Sequence, residues 1–215
     1  DFQGKYPDIQ NASRTYIGPD AAIKADAVQG GDGGRVIVWS NEYTGFYGAI
    51  SAQGGQQSGN GGFVETSSHD NLQAWGRVDA SASRGNSGQW LLDPSDATVV
   101  HGSTGALASG VFDPPGASGS IGDTQINAAL NSGTSVTVKT ASGIEGNGDI
   151  TVNGSADTGG AVTISNTGGG ARSLTLQADR TIKINSGASI SASGAGNKLD
   201  VVFNADSDAN LSGAI

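Results

Sequence analysis

A pattern that returns roughly every 27 residues limits this chain to a small set of folds. Ala22-Ile23-Lys24-Ala25 precedes Gly30-Gly31-Asp32-Gly33-Gly34 and then Arg35-Val36-Ile37-Val38-Trp39. The same order returns as Ala49-Ile50-Ser51-Ala52, Gly59-Asn60-Gly61-Gly62 and Phe63-Val64-Glu65-Thr66. A third copy reads Arg77-Val78-Asp79-Ala80, Gly85-Asn86-Ser87-Gly88 and Gln89-Trp90-Leu91-Leu92. Ile23, Ile50 and Val78 thus mark one and the same position in three successive copies. Each unit reads as a short strand, a glycine-rich turn, a second strand and a polar return.

The second half keeps this grammar with looser spacing. Ser135 to Val138, Asp149 to Val152, Ala161 to Ile164, Ser173 to Leu176, Thr181 to Ile184 and Lys198 to Val201 all alternate polar and apolar residues. Strict alternation marks strands with one buried and one wet face. A helical pattern occurs only over Thr124 to Asn131, where Asp123 offers an N-cap. The glycine turns are usually too long for the tightest hairpins. Short strands at this period therefore point to coiling, each strand pairing with its equivalent one repeat later, about 4.8 Å away. Roughly eight turns would make a rod about 35–40 Å long.

Composition fits that geometry and removes other classes. Leu, Ile, Val and Phe number 42 of 215 residues, which suits a narrow core filled by every second residue. Net charge is −9 and the 11 Lys and Arg are scattered, so a nucleic-acid partner has no electrostatic basis. The longest apolar run, Val36 to Trp39, is too short for a membrane span. No cysteine is present, so disulfides, thiolate metal sites and thiol nucleophiles are excluded. Lacking an initiator Met and signal peptide, and ending inside a repeating pattern, the chain reads as a piece of something longer.

Several segments together resemble the filamentous haemagglutinin and high-molecular-weight adhesin group of two-partner secretion exoproteins. They are Asp1-Phe2-Gln3-Gly4-Lys5, Gly33 to Ser40, Thr44 to Ala52, Gly61 to Ser67 and Trp90-Leu91-Leu92-Asp93-Pro94. The likeness is dense over residues 1 to about 100, extends through Asp123 to Leu130, and is one of style beyond residue 134. It implies a secreted or surface-attached extracellular adhesin fibre, exported through an outer-membrane secretion partner and bound to host or bacterial surface glycan or protein. An equivalent of the family's N-terminal secretion domain is absent, so the segment matches the shaft.

The fold expected is all-β, a right-handed parallel β-helix (solenoid) with an inserted loop carrying a short helix. Residues 1–100 form turns of the repeat, 101–133 an excursion with a helix at 124–131, and 134–215 further turns. The excursion is expected to leave the rod, with Ile126 and Leu130 packed inward, so that deleting 103–122 spares the fold. Unpaired edges at both tips invite end-to-end self-association.

No catalytic, cofactor or metal site is expected. His69 and His101 read as surface residues, Asp206 and Asp208 supply too few ligands for Ca²⁺, and Pro94 reads as a strand end. The candidate contact residues are aromatic. Tyr47 and Trp75 fall one repeat apart, each followed by glycine, and Tyr43 lies in the same return segment. Stacked on a polar surface, Tyr43, Tyr47 and Trp75 could hold the apolar faces of sugar rings; alternatively they stiffen the rod. Phe63 and Trp90, also one repeat apart, read as equivalent buried or corner positions. Adhesin shaft, carbohydrate-binding module and polysaccharide lyase or hydrolase are the three functional classes. A carboxylate pair with a Lys or Arg in one groove would favour the last.

Overall fold

The computed structural model describes residues 2–102, 118–141, 146–168 and 170–210. Positions 103–117 of the expected excursion therefore lie outside the described residues. The first two repeats contain β1 (Arg14–Ile17), β2 (Ala22–Lys24), β3 (Arg35–Val38), β4 (Tyr43–Phe46), β5 (Ala49–Ser51) and β6 (Phe63–Ser67). The chain continues through β7 (Asn71–Ala74), β8 (Arg77–Asp79), β9 (Gln89–Asp93), β10 (Asp96–Val100) and β11 (Ser118–Gly122). Helix α1 (Asp123–Ser132) is followed by β12 (Ser135–Lys139), β13 (Ile150–Val152), β14 (Thr163–Asn166) and β15 (Ala171–Gln177). The last strands are β16 (Ile182–Ile184), β17 (Ser189–Ala192) and β18 (Lys198–Asn204).

These strands make four sheets in which every described pairing is parallel. One runs β1-β4-β7-β11-β10-β13-β16, a second β18-β15-β12-β9-β6-β3, and two short ones β2-β5-β8 and β14-β17. The sequence repeat sets the register directly. Ile23 lies against Ile50 and Ile50 against Val78, so the three form the expected column. A longer column runs Val36, Val64, Trp90, Val136, Leu174 and Val201 across the six-stranded sheet. From Val64 to Leu174 its members have no solvent exposure. Alternation thus builds one continuous core from single residues stacked on their equivalents.

Glycine is required where successive repeats touch. Gly59 has φ +120°, and a Cβ there would collide with the Gly31 carbonyl one repeat earlier. A Cβ on Gly61 would likewise strike the Ala80 carbonyl. Only the missing side chain lets the backbones nest at this corner.

Phe63 and Trp90 turn out not to be equivalent. Trp90 pairs with Val64 and is wholly buried, whereas Phe63 pairs with Gln89 on the outer face. Gln89 follows Phe63 by 26 residues and not 27, and a one-residue change of register exchanges the faces of a strand.

The excursion also differs from expectation. β11 does not lie over the sheets but inserts between β7 and β10, pairing in parallel with both. The chain lays β10 one level ahead, then returns through β11 to fill the level it skipped. Ile121 occupies that level's core position between Ala74 and Val99. Ile126 and Leu130 are buried, as the sequence implied.

Helix α1 packs against both β8 and β14, separating the two short sheets. Its N-cap is Gly122 and not Asp123, whose carboxylate works elsewhere. Asp123, Asn127 and Asn131 stand one turn apart and accept from the amides of Thr163, Ser165 and Thr167 at 3.0, 2.7 and 2.6 Å. Four helical residues rise about 6.0 Å and two strand residues about 6.6 Å, so the two ladders match. Asn127 also donates to the Thr163 carbonyl at 2.8 Å. Helical side chains thereby satisfy a strand edge that another strand would otherwise cover; each such group left unpaired costs about 1–3 kcal/mol.

The two ends differ. At the first level the inward Ile17 and Val38 are buried. At the last, Ile184, Val201 and Phe203 are 40%, 41% and 36% exposed, although their equivalents one level earlier are covered.

Candidate functional site

The seven-stranded sheet carries the aromatic candidates on its outer face. Inward Ile17, Phe46 and Ala74 fix the alternation, which turns Tyr16, Gly45 and Gln73 outward in one cross-strand row. The Tyr43 ring occupies the space left by Gly45, where a Cβ would lie 2.7 Å from its hydroxyl and 3.1 Å from its ring. Tyr43 is only 2% exposed, so it forms the floor of the patch and not its contact surface. Its hydroxyl lies 3.5 Å from that of Tyr47. Burial raises the Tyr47 phenol above its ordinary value, against the opposing bond to Tyr43, so it remains a donor.

Tyr47 and Trp75 follow β4 and β7 at equivalent positions, and both are half-buried. The ring contact described for Tyr47 is with Tyr16, at 5.6 Å between centroids and tilted by 45°. Trp75 Nε1 donates to Gln73 Oε1 at 3.2 Å, and Gln73 Nε2 donates to Asn71 Oδ1 at 2.9 Å. The face therefore combines Tyr16, Tyr47 and Trp75 with amide groups already held in place. Tyr16 is a member the sequence reasoning missed, because it precedes Tyr47 by more than one repeat and so gave no periodic signal.

A second cluster was also missed. On the outer face of the six-stranded sheet, Glu65 of β6, Asp93 of β9 and Lys139 of β12 lie beneath a single 3-10 turn, Phe2–Gly4. Gln3 donates its main-chain amide to the Glu65 carboxylate at 3.2 and 3.4 Å and its side-chain amide to Asp93 at 2.7 Å. Lys139 Nζ stands 3.1 Å from the same Asp93 oxygen. Burial pushes the Glu65 carboxyl up to about 7, with bonds from Ser67 and Gln3 opposing it and Asp93 adding repulsion. Burial likewise raises Asp93, against Lys139 and Gln3. Glu65 was visible as a carboxylate alternating outward within Phe63-Val64-Glu65-Thr66, but nothing in the sequence placed it under residues 2–4.

Each of the two histidines meets an aspartate. His69 Nδ1 lies 2.6 Å from Asp70, and His101 Nδ1 lies 2.8 Å from Asp123. Burial alone would raise the Asp123 carboxyl, yet the Thr163 amide, the His101 ring and the Gly102 amide hold it below the usual range. Asp206 and Asp208 fall on the turn after β18, and no group of three metal-ligating side chains occurs among the described residues. Nor, among those residues, is any helix long and apolar enough to cross a membrane. Compared with known proteins, the chain matches no family model and no curated sequence.

Proposed function

We propose that this chain is a segment of a secreted bacterial adhesin fibre, with its sheets wound into a right-handed parallel β-helix. The carrying observation is the wholly parallel register of the two long sheets, in which equivalent strands of successive repeats stack. The outer row Gln73, Ser120, Thr98, Thr151 and Lys183 is polar throughout, as a solvated shaft requires. The role is structural: to space and present contact surfaces outside the cell, after export through an outer-membrane partner.

The contact surface in this reading is the Tyr16–Tyr47–Trp75 face, and its ligand is a host or bacterial surface glycan. The rings offer apolar area while Gln73 and the Tyr47 hydroxyl supply hydrogen bonds. A glycan array probed with the folded chain tests this. Binding should appear, and Trp75→Ala should weaken it at least about tenfold, as loss of an aromatic anchor does. An array without hits assigns the chain a spacing role alone. The polysaccharide-cleaving alternative would need Glu65, Asp93 and Lys139 open to a substrate, and in the arrangement seen Gln3 occupies both carboxylates.

Self-association belongs to the same reading, through the end that exposes Ile184, Val201 and Phe203. Light scattering should show mass rising with protein concentration, more so in high salt, because the net charge of −9 opposes contact at low salt. A mass independent of both variables removes this part of the proposal.

A further inference from the structure

The cover over Glu65 and Asp93 is held by few residues and closes on an unusual charge arrangement. Phe2 packs edge-on against Phe63 at 5.8 Å, with the Arg35 guanidinium 4.5 Å from its centroid. Gln3 makes the three bonds to the carboxylates, and a Cβ on Gly4 would meet the Trp39 ring. Gln3 adopts φ 53°, a left-handed conformation that favours glycine. Residues 5–10, which follow, are all exposed. We propose that Phe2–Gly4 is a pH-dependent cover, closed in mild acid and released toward alkaline pH, when it uncovers the two carboxylates on the six-stranded sheet.

The driving force is the number of charges the closed site can hold. Glu65 has no solvent exposure, and Lys139 is engaged with Asp93. Closing the cover over both carboxylates as anions therefore places two negative charges against one directly bonded cation. Keeping a proton on Glu65 relieves this, and its carbonyl oxygen can still accept from the Gln3 amide. Lys5 reaches toward Asp93 from the chain beyond the turn, and Arg35 stands over Phe2 from β3. His69 lines a small cavity of about 80 Å³ with Gln3, Trp39 and Asp93, so its ring also faces the site.

The direction follows from linkage. The closed form holds the Glu65 proton up to about pH 7, whereas a solvated carboxyl releases it near 4.5. Between those values closing retains a proton that opening releases, so each pH unit favours the open form about tenfold. Glu65 alone contributes a change of about 300-fold across this window, and burial raises Asp93 in the same direction.

Hydrogen exchange of the Gln3 and Gly4 amides from pH 4.5 to 9, corrected for intrinsic rates, tests this on the whole folded chain. Wild-type protection should fall through that window and then level. Glu65→Gln should remain protected throughout, and His69→Gln should follow wild type. A flat wild-type profile overturns the proposal even if no variant folds. So does a Glu65→Gln profile that tracks wild type, or a His69→Gln profile that has lost its pH dependence.

Discussion

Replacing Trp90 with alanine is expected to cost about 3–5 kcal/mol, the range for deleting a buried aromatic ring. Trp90 stands in the core column between Val64 and Val136, without solvent exposure. Its ring meets Phe46 edge-on, 6.3 Å between centroids and 79° between planes, and so bridges the two long sheets. Nε1 donates to Thr66 Oγ1 at 2.9 Å, and Thr66 is itself buried. The substitution therefore opens a cavity and strands a hydroxyl. Residues above and below are fixed by their own register and cannot collapse into the space. Urea denaturation measures the loss. A change below about 1 kcal/mol would mean that neighbouring levels relax far more than close packing allows. Trp75→Ala, on the surface, should change stability little and serves as the control.

Deleting residues 103–122 is expected to abolish cooperative folding. The deletion removes β11 from between β7 and β10, leaving those strands about 9.6 Å apart, two strand spacings, where no hydrogen bond reaches. It also removes Ile121 from the core. Rejoining the chain is not the obstacle. The Gly102 amide already donates to Asp123 at 3.0 Å, so the cut ends are neighbours. Circular dichroism through a thermal melt should show a broadened or absent transition. An unchanged melt would show that β10 can drop one level and pair with β7 itself.

Much of the architecture was legible because side chains stack on their own equivalents. The even recurrence of Ile23, Ile50 and Val78 gave their register outright. The alternation of Ser135-Val136-Thr137-Val138 gave β12 to within one residue. What failed did so for identifiable reasons. Spacing cannot say which level a strand joins, so β11 looked like part of a loop. Counting 27 residues on from Phe63 reached Trp90, but the corner from β8 to β9 is two residues shorter than that from β5 to β6, and the pairing is Val64 with Trp90. Tyr47 and Trp75 follow adjacent strands at equivalent positions, as their spacing implied. Tyr43 was read as exposed because nothing in the sequence announces that Gly45 leaves room for its ring. The meeting of Glu65 and Asp93 under one turn escaped notice because Gln3, which covers them, lies 62 and 90 positions away.

The exchanged order of β10 and β11 constrains how the molecule can assemble in time. From β4 through β9, a chain folding from its first residue onward can add each strand to an edge that is already present. At β10 that growth must pause, because the edge it needs belongs to β11, whose last residue is number 122. Until then β10 has no partner on either side, since β13 also comes later. Residues 96 to 122 must therefore dock as one block, and α1 directly behind them supplies the seat for β14. Such a step brings together strands separated by a long connection and bears the loop-closure cost that sequential addition avoids. The middle of the chain, and not either end, is then where nascent growth is slowest and where an incompletely folded molecule would wait.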